Sequence, residues 1–202
     1  MNKPRPFDHL QVGDLLPFAI ARGSRLVRIH LEKVAPLTAS DGPSRFSDPH
    51  EPASLPRRFL PIYMADDFLT VFGEVIVRDR RDHQRDDPVL LNELVEKAVS
   101  TIEVEEAVTL LSLHGDAPTR MGIPTDAIRG SKDVVGRQLS EAIWLKFPDF
   151  HGLSYPSRIT TEPCHMVYER DASRLKIIDT ISLMRHPELG SALDHYRLPL
   201  KF

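Results

Sequence analysis

The sequence predicts an α+β domain built on a mixed β-sheet with flanking helices. The chain has 202 residues, 41% of them hydrophobic, which is enough apolar material for one sizeable core. Short apolar segments typical of strands alternate with longer segments whose apolar residues recur at helical spacing. Because strands and helices are interspersed, without an internal repeat or a low-complexity tract, we predict a single domain over 1–202.

Two strands and a helix are predicted in the first half of the chain, after an N-terminal extension over 1–23. Residues 25–31 alternate imperfectly between apolar and polar side chains, and residues 59–65 form a second apolar segment. Asp66 is the predicted N-cap of a helix over 67–78, because apolar side chains follow it at helical spacing.

The second half of the chain continues the alternation of helices and strands. Residues 116–130 are small, turn-forming or polar. The apolar spacing elsewhere predicts, in chain order, a helix over 88–102, a strand over 108–113, a helix over 132–147 and strands over 165–169 and 175–179.

Prolines are concentrated in residues 36–58. The chain has 17 prolines, and each one fixes φ and removes a backbone donor, which excludes a continuous helix or a central strand here. Residues 1–35 are too few for an independent core, so we predict a long ordered loop within the domain rather than a linker. The prolines of this loop are Pro36, Pro43, Pro49, Pro52 and Pro56.

Composition excludes several classes of partner and location. The formal net charge is −3, so we expect no general nucleic-acid footprint. No apolar run approaches the roughly 20 residues that span a bilayer, and the first residues lack a signal-peptide pattern. Cys164 has no second cysteine to pair with, so we expect a reducing cytoplasm as the location.

The common catalytic and metal-binding signatures are absent from the sequence. It contains no Walker loop and no GxGxxG, GxSxG or HExxH motif, and its nine histidines lack convincing ligand spacing, so we expect no metal site. Cys164 adjoins His165, but adjacent strand residues point to opposite faces. Cys164 is therefore predicted to be a small core residue rather than a thiol nucleophile.

Polar residues lie beside turns and strand ends. Arg45 lies in the proline-rich loop, Tyr63 in the second strand, and Glu74 eleven residues later on the helix. A projection at 100° per residue places Glu74 about 140° from the centre of the apolar arc, which predicts a solvated carboxylate. Gly73 costs roughly 1 kcal/mol of helix stability relative to alanine, a cost often tolerated where another group approaches the backbone.

Ser157 follows a segment bounded by a glycine and a proline. Gly152 and Pro156 predict a tight turn into an extended segment, which would present the serine hydroxyl rigidly. Taken alone, a serine before an arginine in such a segment is more typical of a turn residue.

Together these residues resemble the RES domain, a family named for its arginine, glutamate and serine. The resemblance lies in SRFSDP, PIYMADDFLTVFGEV and FHGLSYPSR, in that order, and covers about residues 24–180. An early strand motif of the family falls on 27–30, and residues 49–58 resemble an insertion. The three name residues and the family's strand-end tyrosine fall on Arg45, Glu74, Ser157 and Tyr63.

The resemblance implies a fold similar to that of ADP-ribosyltransferases and an enzyme that destroys NAD. Members of the family act as toxins of toxin–antitoxin pairs, by hydrolysis or phosphorolysis. NAD is then the substrate, water or inorganic phosphate the acceptor, and no further cofactor is implied. A separate antitoxin would cover the active site, and a homo-oligomer is compatible with the sequence.

The resemblance also implies roles for these residues. Cleavage of the nicotinamide–ribose bond passes through an oxocarbenium-like state, and we assign its stabilisation to the carboxylate of Glu74. Ser157 would hydrogen-bond the substrate or orient Glu74.

The remaining predicted site residues would bind the substrate. Arg45, with Arg28 as a second clamp, would hold the pyrophosphate through charge-assisted hydrogen bonds. Tyr63 would stack on the nicotinamide and hold the ribose for attack. His30 and Arg158 complete this predicted set.

Two other functions remain open. One is an ADP-ribosyltransferase that modifies a protein or a small molecule, and the other is a non-catalytic domain that binds NAD or a partner. The products formed from NAD distinguish these alternatives.

Overall fold

A mixed β-sheet of eight strands lies at the centre of the fold. The computed structural model describes residues 6–39, 42–49, 58–78, 80, 88–125, 128 and 134–201. In chain order the strands are β1 (Pro17–Ile20), β2 (Arg25–Leu31), β3 (Pro61–Ala65), β4 (Val89–Leu90), β5 (Lys97–Val104), β6 (Val108–Ser112), β7 (Gly152–Pro156), β8 (Pro163–Tyr168), β9 (Leu175–Ser182) and β10 (Leu200–Lys201).

The order of strands in the sheet is β1-β6-β7-β8-β3-β2-β5-β9. Neighbouring strands run antiparallel except β6 and β7, which are parallel, and β4 and β10 form a separate parallel pair. The predicted α+β class with a mixed sheet and flanking helices is confirmed. The helices are α1 (Phe68–Phe72), α2 (Leu91–Val95), α3 (Ala117–Arg120), α4 (Val134–Lys146) and α5 (Leu189–His195), and α1 continues into a π-helical turn over Gly73–Val77.

Two apolar clusters lie on opposite faces of the sheet. Successive strand residues alternate between them: Ile62 and Met64 of β3 belong to the smaller cluster, whereas Ala65 belongs to the larger one. The larger cluster includes α1 and α4 residues such as Phe72 and Leu139, so it covers the helical face. None of the helices among the described residues is long and apolar enough to cross a membrane.

The predicted helix over 88–102 is wrong. Its first part forms the one-turn helix α2, but the chain then enters β5, the eight-residue strand Lys97–Val104. This strand lies between β2 and β9 and pairs with both along its length. Its valines, threonine and isoleucine fit a buried strand, and pairing on both sides outweighs the helical spacing of the same residues.

Other differences concern local details. The helix is capped by Asp67 rather than Asp66, because Asp67 Oδ1 accepts the Thr70 N–H at 2.7 Å. No tight turn forms between Gly152 and Pro156, which are the two ends of β7. Glycine is required at 152 because a Cβ there would collide with the Met166 carbonyl of β8.

β1, α5 and β10 near the chain ends were not predicted, and neither was α3 within residues 116–130. β1, within the segment assigned as an N-terminal extension, pairs with β6 at one edge of the sheet. α5 follows β9, and Tyr196, the residue after it, packs against Phe72 of α1. The other predicted strands and helices correspond to observed elements whose ends differ by a few residues; residues 132 and 133 lie outside the described residues.

The described part of the proline-rich loop is fastened at several points. Asp48 is buried and accepts hydrogen bonds from the backbone N–H and the guanidinium of Arg58, which links residues on either side of 50–57. Arg137 of α4 donates through Nε to the Ser44 carbonyl at 2.9 Å. These contacts hold the described parts of the loop against the rest of the fold, and an ordered loop within a single domain stays a prediction; Pro52 and Pro56 lie outside the described residues.

Candidate active site

A cavity of about 340 Å³ lies where β2 and β3 separate. The registered pairing of these strands is limited to Val27 and Ala65, whereas β2 pairs with β5 along its whole length. The volume lies within the range of small-molecule sites. Its polar lining is formed by Arg28, Ser44, Arg45, Tyr63, Glu74, Arg78, Tyr155 and Cys164.

Glu74 is held by two hydrogen bonds on one carboxylate oxygen. Its Oε1 accepts the Ser157 hydroxyl at 2.7 Å and the Arg158 backbone N–H at 2.8 Å. Its Oε2 lies 3.5 Å from Arg78 Nη1, and the side chain is only 11% exposed. The prediction of a solvated carboxylate from helical periodicity is therefore wrong.

A π-helical turn follows α1 and contains Glu74. α1 ends at Phe72, and in the following turn the Arg78 N–H donates to the Gly73 carbonyl five residues earlier. A π turn contains more residues than the 3.6 of an α-helix, so a projection at 100° per residue becomes inaccurate after Gly73. Glu74 lies early in this turn, and it is largely buried because the Ser157 hydroxyl and the Arg158 N–H, from the segment after β7, bind its carboxylate.

Ser157 acts on Glu74 from the segment after β7. Its buried hydroxyl donates to Glu74 and accepts the backbone N–H groups of Ile159 at 3.0 Å and Thr160 at 3.2 Å. The two backbone donors leave the hydroxyl proton directed at the carboxylate. This geometry fits the orienting role, one of the two predicted for Ser157, and Ser157 is not among the residues that line the cavity.

Arg45 places a buried positive charge in the cavity. Arg45 is only 8% exposed, and its Nε and Nη1 have no hydrogen-bond partner among the residues that the structure describes. The guanidinium carbon lies 5.2 Å from the Tyr155 ring centroid and 5.7 Å from that of Phe46. A buried cation with free donors is costly unless it meets an anion, so this position suits an anionic ligand.

Tyr63 fixes the segment that carries Arg45. Its hydroxyl shares a 2.8 Å hydrogen bond with Ser44 Oγ and accepts the Phe46 N–H at 3.2 Å, so both neighbours of Arg45 are tied to β3. The ring also lines the cavity. The structure thus gives Tyr63 a supporting contact, while its predicted stacking on a substrate ring stays a prediction.

Arg28 spans the gap between the two separating strands. Nη1 donates to the Tyr63 carbonyl at 3.0 Å and Nη2 to the Thr38 carbonyl at 2.8 Å, while the buried Nε lacks a partner among the described residues. Burial lowers the pKa of Arg28 to about 10, so the guanidinium stays protonated at neutral pH. Part of its hydrogen-bonding capacity is therefore used to hold the strands.

Two predicted substrate-binding residues are placed differently. His30 does not line the cavity; its ring nitrogens contact the Leu31 carbonyl at 2.9 Å and Ser100 Oγ at 2.8 Å. Burial lowers its pKa, so the ring is neutral at pH 7. Arg158 meets the site through its backbone N–H on Glu74, and its side chain is not part of the cavity lining.

Cys164 and His165 face opposite sides of the sheet, as strand alternation predicts. Cys164 lines the cavity beside Tyr155, and burial raises the pKa of its thiol, which argues against a nucleophile. On the other face, His165 contacts Ser154 Oγ of the neighbouring strand β7 at 3.1 Å and Asp66 Oδ1, just after the neighbouring strand β3, at 2.8 Å. In the described part of the chain no three metal-ligating side chains cluster.

Tyr155, Arg78 and Cys164 were not predicted as cavity residues. Tyr155 lies within the motif segment around Ser157. Its side chain is on the face of β7 that the helices cover, and the sequence does not indicate which face that is. Arg78 lies one turn after Glu74, beyond the π-helical register change. An alternating pattern in β7 and β8 indicates two faces without saying which one borders a cavity.

The fold and site together define an α+β protein with a carboxylate and an arginine in a cavity where two strands separate, and two of the arginine nitrogens have no hydrogen-bond partner among the described residues. The RES domain family matches residues 25–189, and the chain belongs to this family. The predicted resemblance is therefore confirmed.

The chain is also similar to a curated protein and to a solved structure. The protein named "Probable toxin y4kH" from Sinorhizobium fredii is 30% identical over 114 residues, which cover 56% of this chain and 90% of that protein. A chain from the crystal structure of the M. tuberculosis MbcT–MbcA toxin–antitoxin complex is similar in fold, with a TM-score of 0.61. That match has 20% identity and covers 86% of this chain and 92% of the other chain.

Proposed function

We propose that this chain cleaves the nicotinamide–ribose bond of NAD and is the toxin of a toxin–antitoxin pair. The observation that carries the proposal is the presence in one cavity of a fixed carboxylate, Glu74, and a buried guanidinium, Arg45, two of whose nitrogens lack a hydrogen-bond partner in the described part of the chain. These two charges match NAD: the arginine suits its anionic diphosphate, and the carboxylate suits the ribosyl carbon that becomes positive as the bond breaks.

The carboxylate would act on the ribose. When the bond between the anomeric carbon and the nicotinamide nitrogen breaks, its electron pair leaves with neutral nicotinamide and positive charge develops on the ribose. Glu74 stabilises this charge through Oε2, because both strong hydrogen bonds fall on Oε1. An oxygen of water or phosphate then bonds to the anomeric carbon, and a proton bound to water passes to the carboxylate or to solvent.

The arginines would act on the diphosphate. Arg45 offers two buried nitrogens without partners among the described residues, and Arg28 adds one. Diphosphate oxygens accept such charge-assisted hydrogen bonds in bidentate geometry. Because Tyr63 and Arg137 fix the segment around Arg45, the guanidinium loses little entropy on binding.

The proposed toxin role rests on the similar proteins. The Sinorhizobium relative is named a probable toxin, and the structural neighbour was crystallised in a toxin–antitoxin complex. By analogy, this chain would be neutralised by a separate antitoxin that covers the cavity. Membership of the RES domain family supports the same proposal.

The test is to incubate the purified protein with NAD, with and without inorganic phosphate, and to identify the products. Free nicotinamide together with ADP-ribose, or with its phosphate ester when phosphate is present, supports the proposal and identifies the acceptor. Nicotinamide release with label transferred to a macromolecule would instead indicate an ADP-ribosyltransferase. Binding of NAD without any product would contradict the proposed activity.

A further inference from the structure

The register change before Glu74 coincides with a contact from the far end of the chain. Tyr196, the residue after α5, donates its hydroxyl to the Leu69 carbonyl at 3.1 Å. The Gly73 N–H is shared between that same carbonyl and the carbonyl of Thr70. The tyrosine hydroxyl therefore shares the carbonyl that accepts the N–H of Gly73, the residue at which the π turn begins.

Gly73 provides the space for this contact. A Cβ at position 73 would lie 2.7 Å from Tyr196 Oη and 3.2 Å from Ile159 Cγ2. The φ of Gly73 is −55°, an ordinary right-handed helical value, so its backbone conformation does not require glycine. Glycine is needed here for the close approach of Tyr196, whose ring stacks on Phe72 at 6.1 Å.

The same contact reaches both supports of Glu74. On one side Tyr196 lies against the turn from which the glutamate projects. On the other side Ile159, which also lies against Gly73, donates its backbone N–H to the Ser157 hydroxyl. Tyr196 and the residue that donates to the Ser157 hydroxyl therefore both pack against Gly73, the residue before Glu74.

We propose that Tyr196 is a positioning residue that holds the π-helical register and thereby directs the Glu74 carboxylate into the cavity. The inference rests on the proposed function only in giving Glu74 a catalytic role. Tyr196 lies outside residues 25–189, which match the RES domain family. Burial and the nearby charges of Asp67 and Glu74 raise the pKa of Tyr196, which keeps its hydroxyl a donor.

Tyr196→Phe tests the hydroxyl with little change in volume. We expect kcat for NAD consumption to fall about tenfold, with KM within about twofold, because a small displacement of a catalytic group costs rate more than binding. Tyr168→Phe is the matched control: its hydroxyl also donates to a helix carbonyl, that of Ser140, at 2.8 Å, but it does not line the cavity. The control should keep wild-type kcat.

Gly73→Ala supplies a second variant that reports on the same contact. Its methyl group collides with the tyrosine hydroxyl, so kcat should fall at least as far as in Tyr196→Phe. The double variant Gly73→Ala/Tyr196→Phe lacks the hydroxyl oxygen that lies 2.7 Å from the added methyl group. Gly73→Ala should therefore lower kcat several-fold less in the Tyr196→Phe background than in the wild type. Strictly additive losses, or wild-type kcat in folded Tyr196→Phe, would overturn the inference.

Crystal structures of Tyr196→Phe and Gly73→Ala separate this inference from the proposed function. Loss of the π turn over residues 73–77, or of the 2.7 Å contact between Ser157 Oγ and Glu74 Oε1, supports positioning even if the wild type consumes no NAD. An unchanged turn and an unchanged contact in both variants would refute positioning even if the wild type is an active NAD-cleaving enzyme.

Discussion

Ser157 and Glu74, 83 residues apart in the chain, are joined by a 2.7 Å hydrogen bond from the serine hydroxyl to the carboxylate. The bond links the segment after β7 to the π-helical turn after α1, so two separate elements determine the position of one carboxylate. The Arg158 N–H donates to the same oxygen, which leaves the other oxygen near Arg78 for a ligand in the cavity.

Glu74→Gln should leave the fold intact and lower NAD consumption by at least about a hundredfold. Glutamine keeps the shape and an oxygen for the Ser157 and Arg158 donors, but it removes the negative charge that stabilises an oxocarbenium-like state. The measurement is kcat for NAD together with the thermal unfolding midpoint. Glu141→Gln, which removes a carboxylate paired with Arg58 outside the cavity, is the control. Near-normal turnover of folded Glu74→Gln would refute the assignment.

Ser157→Ala should lower both activity and stability. It removes the donor to Glu74 and leaves the N–H groups of Ile159 and Thr160 without their acceptor, which costs roughly 1–3 kcal/mol. The comparison is Ser100→Ala, a fully buried serine that bonds His30 and lies outside the cavity. We expect similar losses in urea stability for both variants, but a loss of kcat for Ser157→Ala alone. Equal kcat in the two variants would argue against an orienting role for Ser157.

The placement of Glu74 shows where prediction from the sequence ends. The motif order identified Arg45, Tyr63 and Glu74, and the structure brings all three to one cavity. The exposure of Glu74 could not be predicted, because the residues that bind and bury its carboxylate, Ser157 and Arg158, lie 83 and 84 residues further along the chain. Periodicity describes a helix alone and carries no information on which distant segment covers its polar face.

The error over 88–102 has a related cause. Residues 97–102 have apolar side chains at positions that satisfy a helical spacing, and their β-branched side chains are equally suited to a strand. These residues form a strand rather than a helix because the backbone groups of β2 and β9 pair with them on both sides. By contrast, β2 and β3 were predicted correctly because their apolar segments are short and bounded by turn residues.

Arg45→Ala should weaken NAD binding without destabilising the free protein. The guanidinium is buried with two nitrogens that lack partners among the described residues. Its removal therefore relieves the desolvation cost of a buried charge in the free protein and removes a contact to the NAD diphosphate in the complex. We expect a higher KM for NAD and an unchanged or higher unfolding midpoint. Calorimetric titration with ADP-ribose checks the binding directly.

The control for Arg45 is an arginine that has its partners. Arg58 bonds the fully buried carboxylate of Asp48 and also pairs with Glu141. Arg58→Ala should lower stability by roughly 3 kcal/mol, the scale of unpairing a buried charge. If Arg45→Ala destabilised the protein as much as Arg58→Ala, without changing KM, Arg45 would be a structural residue.

Acid should destabilise the folded protein through four histidines that are fully or partly buried. Burial lowers the pKa of His30, His114, His151 and His186 below the value of about 6.5 typical of an unfolded chain. Because the unfolded state then binds protons more tightly, their contribution to stability is complete above about pH 6.5 and is lost as the pH falls through the lowered folded values. The unfolding midpoint should therefore be lower at about pH 5.5 than at about pH 7.5, and the difference should shrink in His30→Gln. An equal difference in that variant would show that His30 does not contribute to the acid sensitivity.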